Sequence, residues 1–100
     1  MHIEFERSGG FAAIMLKTSF DTSEIDEGEA RQLEEMVRAS DFFSLPERIA
    51  PAKAGADRFQ YRVSVEAQGK SHTIQVDESA TPAGLVPLLN HLTLMARTRR

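Results

Sequence analysis

A chain of 100 residues, 41% hydrophobic and 27% charged, has the length and composition of one globular domain, residues 1–100, built round one core. It contains no cysteine, which excludes disulfide scaffolds, thiolate nucleophiles, zinc ribbons and iron–sulfur clusters. Twelve Lys and Arg against fifteen Asp and Glu leave a net charge of −3, a poor balance for holding a polyphosphate, so nucleic acid is not an expected partner.

The start, Met1 to Arg7, lacks the basic and then apolar segments of a signal peptide. No apolar run approaches the roughly 20 residues of a membrane span. A cytoplasmic protein without a membrane partner is expected.

Ile3 and Phe5 alternate with Glu4 and Glu6, the two-residue period of a half-buried strand. Ser8-Gly9-Gly10 interrupts it, and Phe11 to Phe20 resumes as a second strand, with Ala12, Ile14 and Leu16 on one side. A glycine pair between two strand patterns signals a tight hairpin. Asp21-Thr22-Ser23 supplies turn and cap chemistry, with Ser23 and Asp26 resembling a helix start. Ala30, Leu33, Val37 and Ser40 then fall at helical spacing, flanked by Met36, with Glu29, Arg31, Glu34, Glu35 and Arg38 on the wet side. Arg31 is spaced to pair with Glu35.

Phe42, Phe43 and Leu45, closed by Pro46, are expected to plug the core from a turn. Residues 47–57, with Pro51, Gly55 and four alanines, read as a long connection, and long connections are frequently functional. Phe59, Tyr61, Val63 and Val65 alternate with Gln60, Arg62, Ser64 and Glu66. Gln68-Gly69-Lys70 turns this strand into another carrying His72, Ile74 and Val76 on its apolar register. Thr81-Pro82 suggests a last helix with a stripe of Leu85, Leu88, Leu89, Leu92, Met95 and Ala96. Pro87 either kinks that helix or delays its regular part. The order ββαββα predicts an α+β two-layer sandwich, with a four-stranded, mostly antiparallel sheet under two helices.

No GxSxG, HExxH or Walker loop is present. His2, His72 and His91 are spread along the chain, and only with Asp77 would they suggest a metal site. Their spacing favours a partly buried imidazole at His72 and an exposed one at His91. Asp77-Glu78 reads either as an acidic patch or as polar strand-end residues near a helix.

Two segments suit partner binding. Arg7-Ser8-Gly9-Gly10-Phe11 is either a plain hairpin turn or a narrow tip that enters another protein's cleft. In the second segment Asp57, Arg58 and Arg62 bracket Phe59 and Tyr61. Tyrosine and arginine are enriched in binding hot spots, and equally common on exposed sheet faces.

Five segments taken together, FERSGGFA at 5–12, FFSLP at 42–46, ADRFQYRVSVE at 56–66, HTIQVDE at 72–78 and TPAGLVPLL at 81–89, resemble the emfourin family. These are protein inhibitors of protealysin-like, thermolysin-type metallopeptidases. The family pattern has a glycine where this chain has Ala13. The resemblance implies a domain that is not an enzyme, holds no metal or cofactor, is a monomer when free, and blocks the active-site cleft of a thermolysin-type zinc peptidase. Such enzymes favour a bulky apolar side chain just past the scissile bond, which suits Phe11, with Arg7, Asp57 and Arg58 as rim contacts. A carboxylate of Asp57 or Asp77 reaching the peptidase zinc is a further option. The expected contact set is Arg7, Ser8, Gly9, Gly10, Phe11, Asp57, Arg58, Phe59 and Tyr61. Two other functions stay open: a non-inhibitory dimerising module using Arg62, Ser64 and Glu66, and a small enzyme or carrier using His72 and Asp77.

Overall fold

The computed structural model describes residues 1–9, 15–51 and 58–98. Five strands and two helices follow in the order β1 (His2–Gly9), β2 (Leu16–Asp21), α1 (Glu27–Ala39), β3 (Arg48–Ile49), β4 (Phe59–Ala67), β5 (Lys70–Asp77) and α2 (Val86–Thr98). The sheet order is β2-β1-β4-β5-β3. The α+β class and the two helices agree with expectation; the strand count does not. Arg48 and Ile49 leave the expected connection and pair in parallel with Gln75 and Val76, making a mixed five-stranded sheet. Two residues are too short to show a period, and their ladder partner is remote in sequence, so local pattern could not reveal them.

Alternation along the strands sends Ile3, Phe5, Phe20, Val63, Val65, Ile74 and Val76 into the core. The helices return Leu33 and Val37 from α1, and Leu88, Leu89, Leu92, Met95 and Ala96 from α2. The opposite face, with Glu4, Glu6, Arg62, Glu66, Thr73 and Gln75, is polar, and Ser64 and Thr73 share a hydrogen bond of 2.7 Å across it. A sheet covered on one side needs this division, because the uncovered residues stay in water.

Local chemistry fixes the boundaries. Asp26, not Ser23, caps α1: its carboxylate accepts from the N–H groups of Gly28 at 3.0 Å and Glu29 at 3.2 Å. Ser23 belongs to a preceding 3-10 turn, residues 22–24, where Asp21 and Glu24 form a reciprocal capping pair. Arg31 pairs back to Glu27 at 2.7 Å, leaving Glu35 to Arg38. Beyond Ser40, Asp41 turns left-handed at φ 54° and ends the helix. Of the aromatic plug, Phe42 is buried, Leu45 half-buried, and Phe43 lies 38% exposed beside His72. Pro87 is the second residue of α2, where a missing N–H costs nothing, so the regular helix simply begins late.

The β4–β5 hairpin is as expected: Gln68 and Gly69 both adopt positive φ, and Ala67 pairs with Lys70. The first hairpin differs. Arg7 pairs with Leu16, whereas a two-residue turn at Gly9-Gly10 would set Arg7 opposite Ala12. The connection is therefore longer than the glycine pair suggested. Gly10, Phe11, Ala12, Ala13 and Ile14 lie outside the described residues. The expectation of a second strand from Phe11 is met from Leu16 onward.

Candidate partner-binding site

At one end of the sheet the last residues of β1, the first of β4 and the last of β5 meet. Arg7 pairs with Tyr61, Ser8 with Gln60 and Gly9 with Phe59, and Gln60 also faces Asp77. Register thus joins Arg7, Ser8 and Gly9 to Phe59 and Tyr61, with Arg58 immediately before β4, which the sequence offered as two separate segments. Gly10, Phe11 and Asp57 of the expected contact set are outside the described residues.

Gly9 allows the close approach. Its φ is +95°, and a Cβ there would stand 2.7 Å from the carbonyl oxygen of Arg58. Only glycine fits that geometry without moving backbone. The junction between the two segments is therefore tight.

On the helix-covered register, the Arg7 guanidinium lies over the Phe59 ring at 4.1 Å from its centroid. Its Nε is buried without a hydrogen-bond partner. Tyr61 is Arg7's ladder partner on β4, and its ring packs beside Phe5 at 6.0 Å. Burial pushes the Tyr61 hydroxyl up from its ordinary value, and nearby Glu78 adds to this, while Arg7 and Arg97 pull the other way.

On the open register, Asp77 is only 5% exposed. Its carboxylate accepts from Gln60 Nε2 at 2.6 Å, from the Ser79 N–H at 2.9 Å and from the Ser79 hydroxyl at 2.7 Å. Arg58 approaches it at 3.7 Å and also donates to the Ser79 hydroxyl. The Ser79 hydroxyl and N–H, then Gln60 and Arg58, hold the Asp77 carboxyl below its ordinary value against the opposing effect of burial. Glu78 accepts from the Phe59 N–H at 3.3 Å. Gln60 and Ser79 were not singled out from sequence. The signal was present: a two-residue turn at Gln68-Gly69, counted back along both strands, sets Gln60 opposite Asp77.

The histidines are held apart. His72 donates through Nε2 to the Leu45 carbonyl at 2.7 Å and meets the Phe42 ring edge-on. His91 faces Glu29 across the two helices at 3.3 Å and is 19% exposed, not the open group the sequence suggested. His2 is beside Ser19 at 3.4 Å. Among the described residues no three His, Asp or Glu side chains are grouped to hold a metal. His72 and Asp77 stand on opposite faces of β5, since five residues separate them and successive side chains alternate. They do not form one site, and the small-enzyme alternative loses its constellation. No helix among the described residues is long and apolar enough to cross a membrane.

These features define a class of protein: a small α+β domain that presents a braced, arginine- and aromatic-bearing sheet end. The emfourin family model matches residues 5–93, and the chain belongs to that family. Members of the family are peptidase inhibitors, not enzymes. Among solved structures, emfourin (M4in) from Serratia proteamaculans, an M4 family peptidase inhibitor, matches with 20% sequence identity. That match covers 88% of this chain and 84% of the other, with a TM-score of 0.47. No curated protein is significantly similar.

Proposed function

We propose that this chain is a non-covalent, stoichiometric inhibitor that binds and blocks the active-site cleft of a thermolysin-like zinc metallopeptidase of the protealysin kind. Membership of the emfourin family over residues 5–93 carries this reading. The proposal includes a single domain, a monomeric free state and a cytoplasmic location.

A protein inhibitor works by losing little entropy on docking and by filling pockets with a few anchors. About 800 Å² of its own surface must be covered. The sheet end meets the first need, because Gly9 is packed on Arg58 and the Arg7 and Asp77 interactions brace it from both faces. Phe11, outside the described residues, enters as the plug from sequence alone, and Gly10 and Asp57 enter the contact set on the same basis. Arg7, Asp57 and Arg58 are the rim contacts, and Ser8, Gly9, Phe59 and Tyr61 complete the proposed contact set. A rigid edge also resists cleavage, since a peptidase needs a segment it can draw into extended form.

Titration of a protealysin-like peptidase with this chain tests the proposal. Peptide hydrolysis is expected to fall to baseline near one equivalent. Full activity at large inhibitor excess would refute it. Phe11→Ala combined with Gly10→Val, in a folded variant, is expected to abolish inhibition; unchanged inhibition would remove the tip from the mechanism.

A further inference from the structure

We propose that Asp77 is a positioning residue for the partner-binding edge, holding Arg58 in the geometry in which it meets the peptidase. This rests on the inhibitory function proposed above.

Asp77 is the last residue of β5 and belongs to the register that faces water, yet it is 5% exposed. Its neighbours on that register, Thr73 and Gln75, are exposed. What covers Asp77 is its own set of donors: Gln60 from β4, and Ser79 from the 3-10 turn at 78–80 that follows β5. Both carboxylate oxygens accept from these donors and the group is nearly covered, which favours a bracing role for Asp77 over ligation of a peptidase zinc.

Arg58 closes the arrangement. It donates to the Ser79 hydroxyl, which in turn donates to Asp77, and its own charge stands 3.7 Å from the carboxylate. Its side chain keeps 31% of its surface in water, so it is braced at one side and open at the other. Arg58 is also the residue whose carbonyl contacts Gly9. Backbone and side chain of one arginine are thus fixed from two strands. An arginine ordered before docking loses less side-chain freedom on binding than a free one. A carboxylate that only capped the following turn would have no need of Gln60 or Arg58.

The test is a double-mutant cycle on the inhibition constant against a protealysin-like peptidase, with Arg58→Ala, Asp77→Asn and the pair. Each single variant is expected to weaken inhibition about tenfold, the scale of an interface arginine. The pair is expected to be no weaker than Arg58→Ala alone. A purely structural role for Asp77 would weaken the Arg58→Ala background as well, so multiplying effects overturn the proposal. So does wild-type inhibition by Asp77→Asn. The second measurement is ¹⁵N relaxation of the Arg58 Nε–H group in the free protein. It is expected to be ordered in wild type and mobile in Asp77→Asn; equal order in both overturns the proposal. Absence of inhibition by the wild type would refute the inhibitory function, and the relaxation result would still decide whether Asp77 orders Arg58.

Discussion

Replacing Gly9 with alanine attacks the junction of the two site segments directly. The φ of +95° lies beyond the left-handed region that other residues tolerate, so strain of about 1–3 kcal/mol is expected. The added Cβ would meet the Arg58 carbonyl oxygen at 2.7 Å, and that atom belongs to the backbone immediately before β4, whose first residue Phe59 pairs with Gly9, so relief requires moving β1 from the start of β4. Overpacking of this kind adds about 1–3 kcal/mol. Alanine restricts the unfolded chain and returns about 0.4–1 kcal/mol. The net expectation is a loss of about 1–6 kcal/mol, centred on about 3 kcal/mol, a large share of the roughly 5–15 kcal/mol typical of a domain. Gly69→Ala is the control. Its φ is +79° and nothing stands within 4 Å of the added Cβ, so strain acts without a clash and about 1 kcal/mol is lost. Urea denaturation measures both, and the melting temperature of Gly9→Ala should fall by about 10–25 °C. Equal losses in the two variants, or a loss below about 0.5 kcal/mol at Gly9, would refute the close approach of these strands.

Phe42 is 1% exposed at the centre of the core, and Phe42→Ala is expected to cost about 3–5 kcal/mol in urea unfolding. Phe43→Ala, at 38% exposure, should cost far less. Arg7→Ala should lose about 0.5–1 kcal/mol with the Phe59 contact, and should weaken inhibition by more than its stability loss explains. The Asp21 and Asp77 carboxyls are held below their ordinary values, Asp21 chiefly by the backbone N–H of Ser23 and then by its hydroxyl, and Asp77 chiefly by the Ser79 hydroxyl. Their folded-state values being depressed, they contribute stability that is complete above the unfolded carboxylate value of about 3.9 and is lost as pH falls through the lower folded values. Stability measured against pH should therefore drop more steeply below pH of about 4 in wild type than in an Asp21→Asn, Asp77→Asn double variant; parallel curves would contradict the hydrogen bonding described.

The sequence alone determined the elements whose signal is local. Alternation in 59–66 and 72–77 marked β4 and β5, and Gln68-Gly69-Lys70 marked their turn, because a glycine between two alternating patterns is a local signal. The stripe from Leu85 to Ala96 marked the buried face of α2, since helical spacing is set by the backbone. The five segments that resemble the emfourin family were legible for the same reason, each being contiguous, and the family match bears them out. Tertiary structure decided what depends on register and distant partners. Arg48 and Ile49 become a strand only because β5 offers a free edge. The first hairpin opens wider than its glycines suggested, because Arg7 pairs with Leu16 and the strand must match β4 on its other side. Asp77 looked like an ordinary polar strand end. It is buried because Gln60, Ser79 and Arg58 arrive from elsewhere to satisfy it, and a carboxylate leaves water only when such donors are in place.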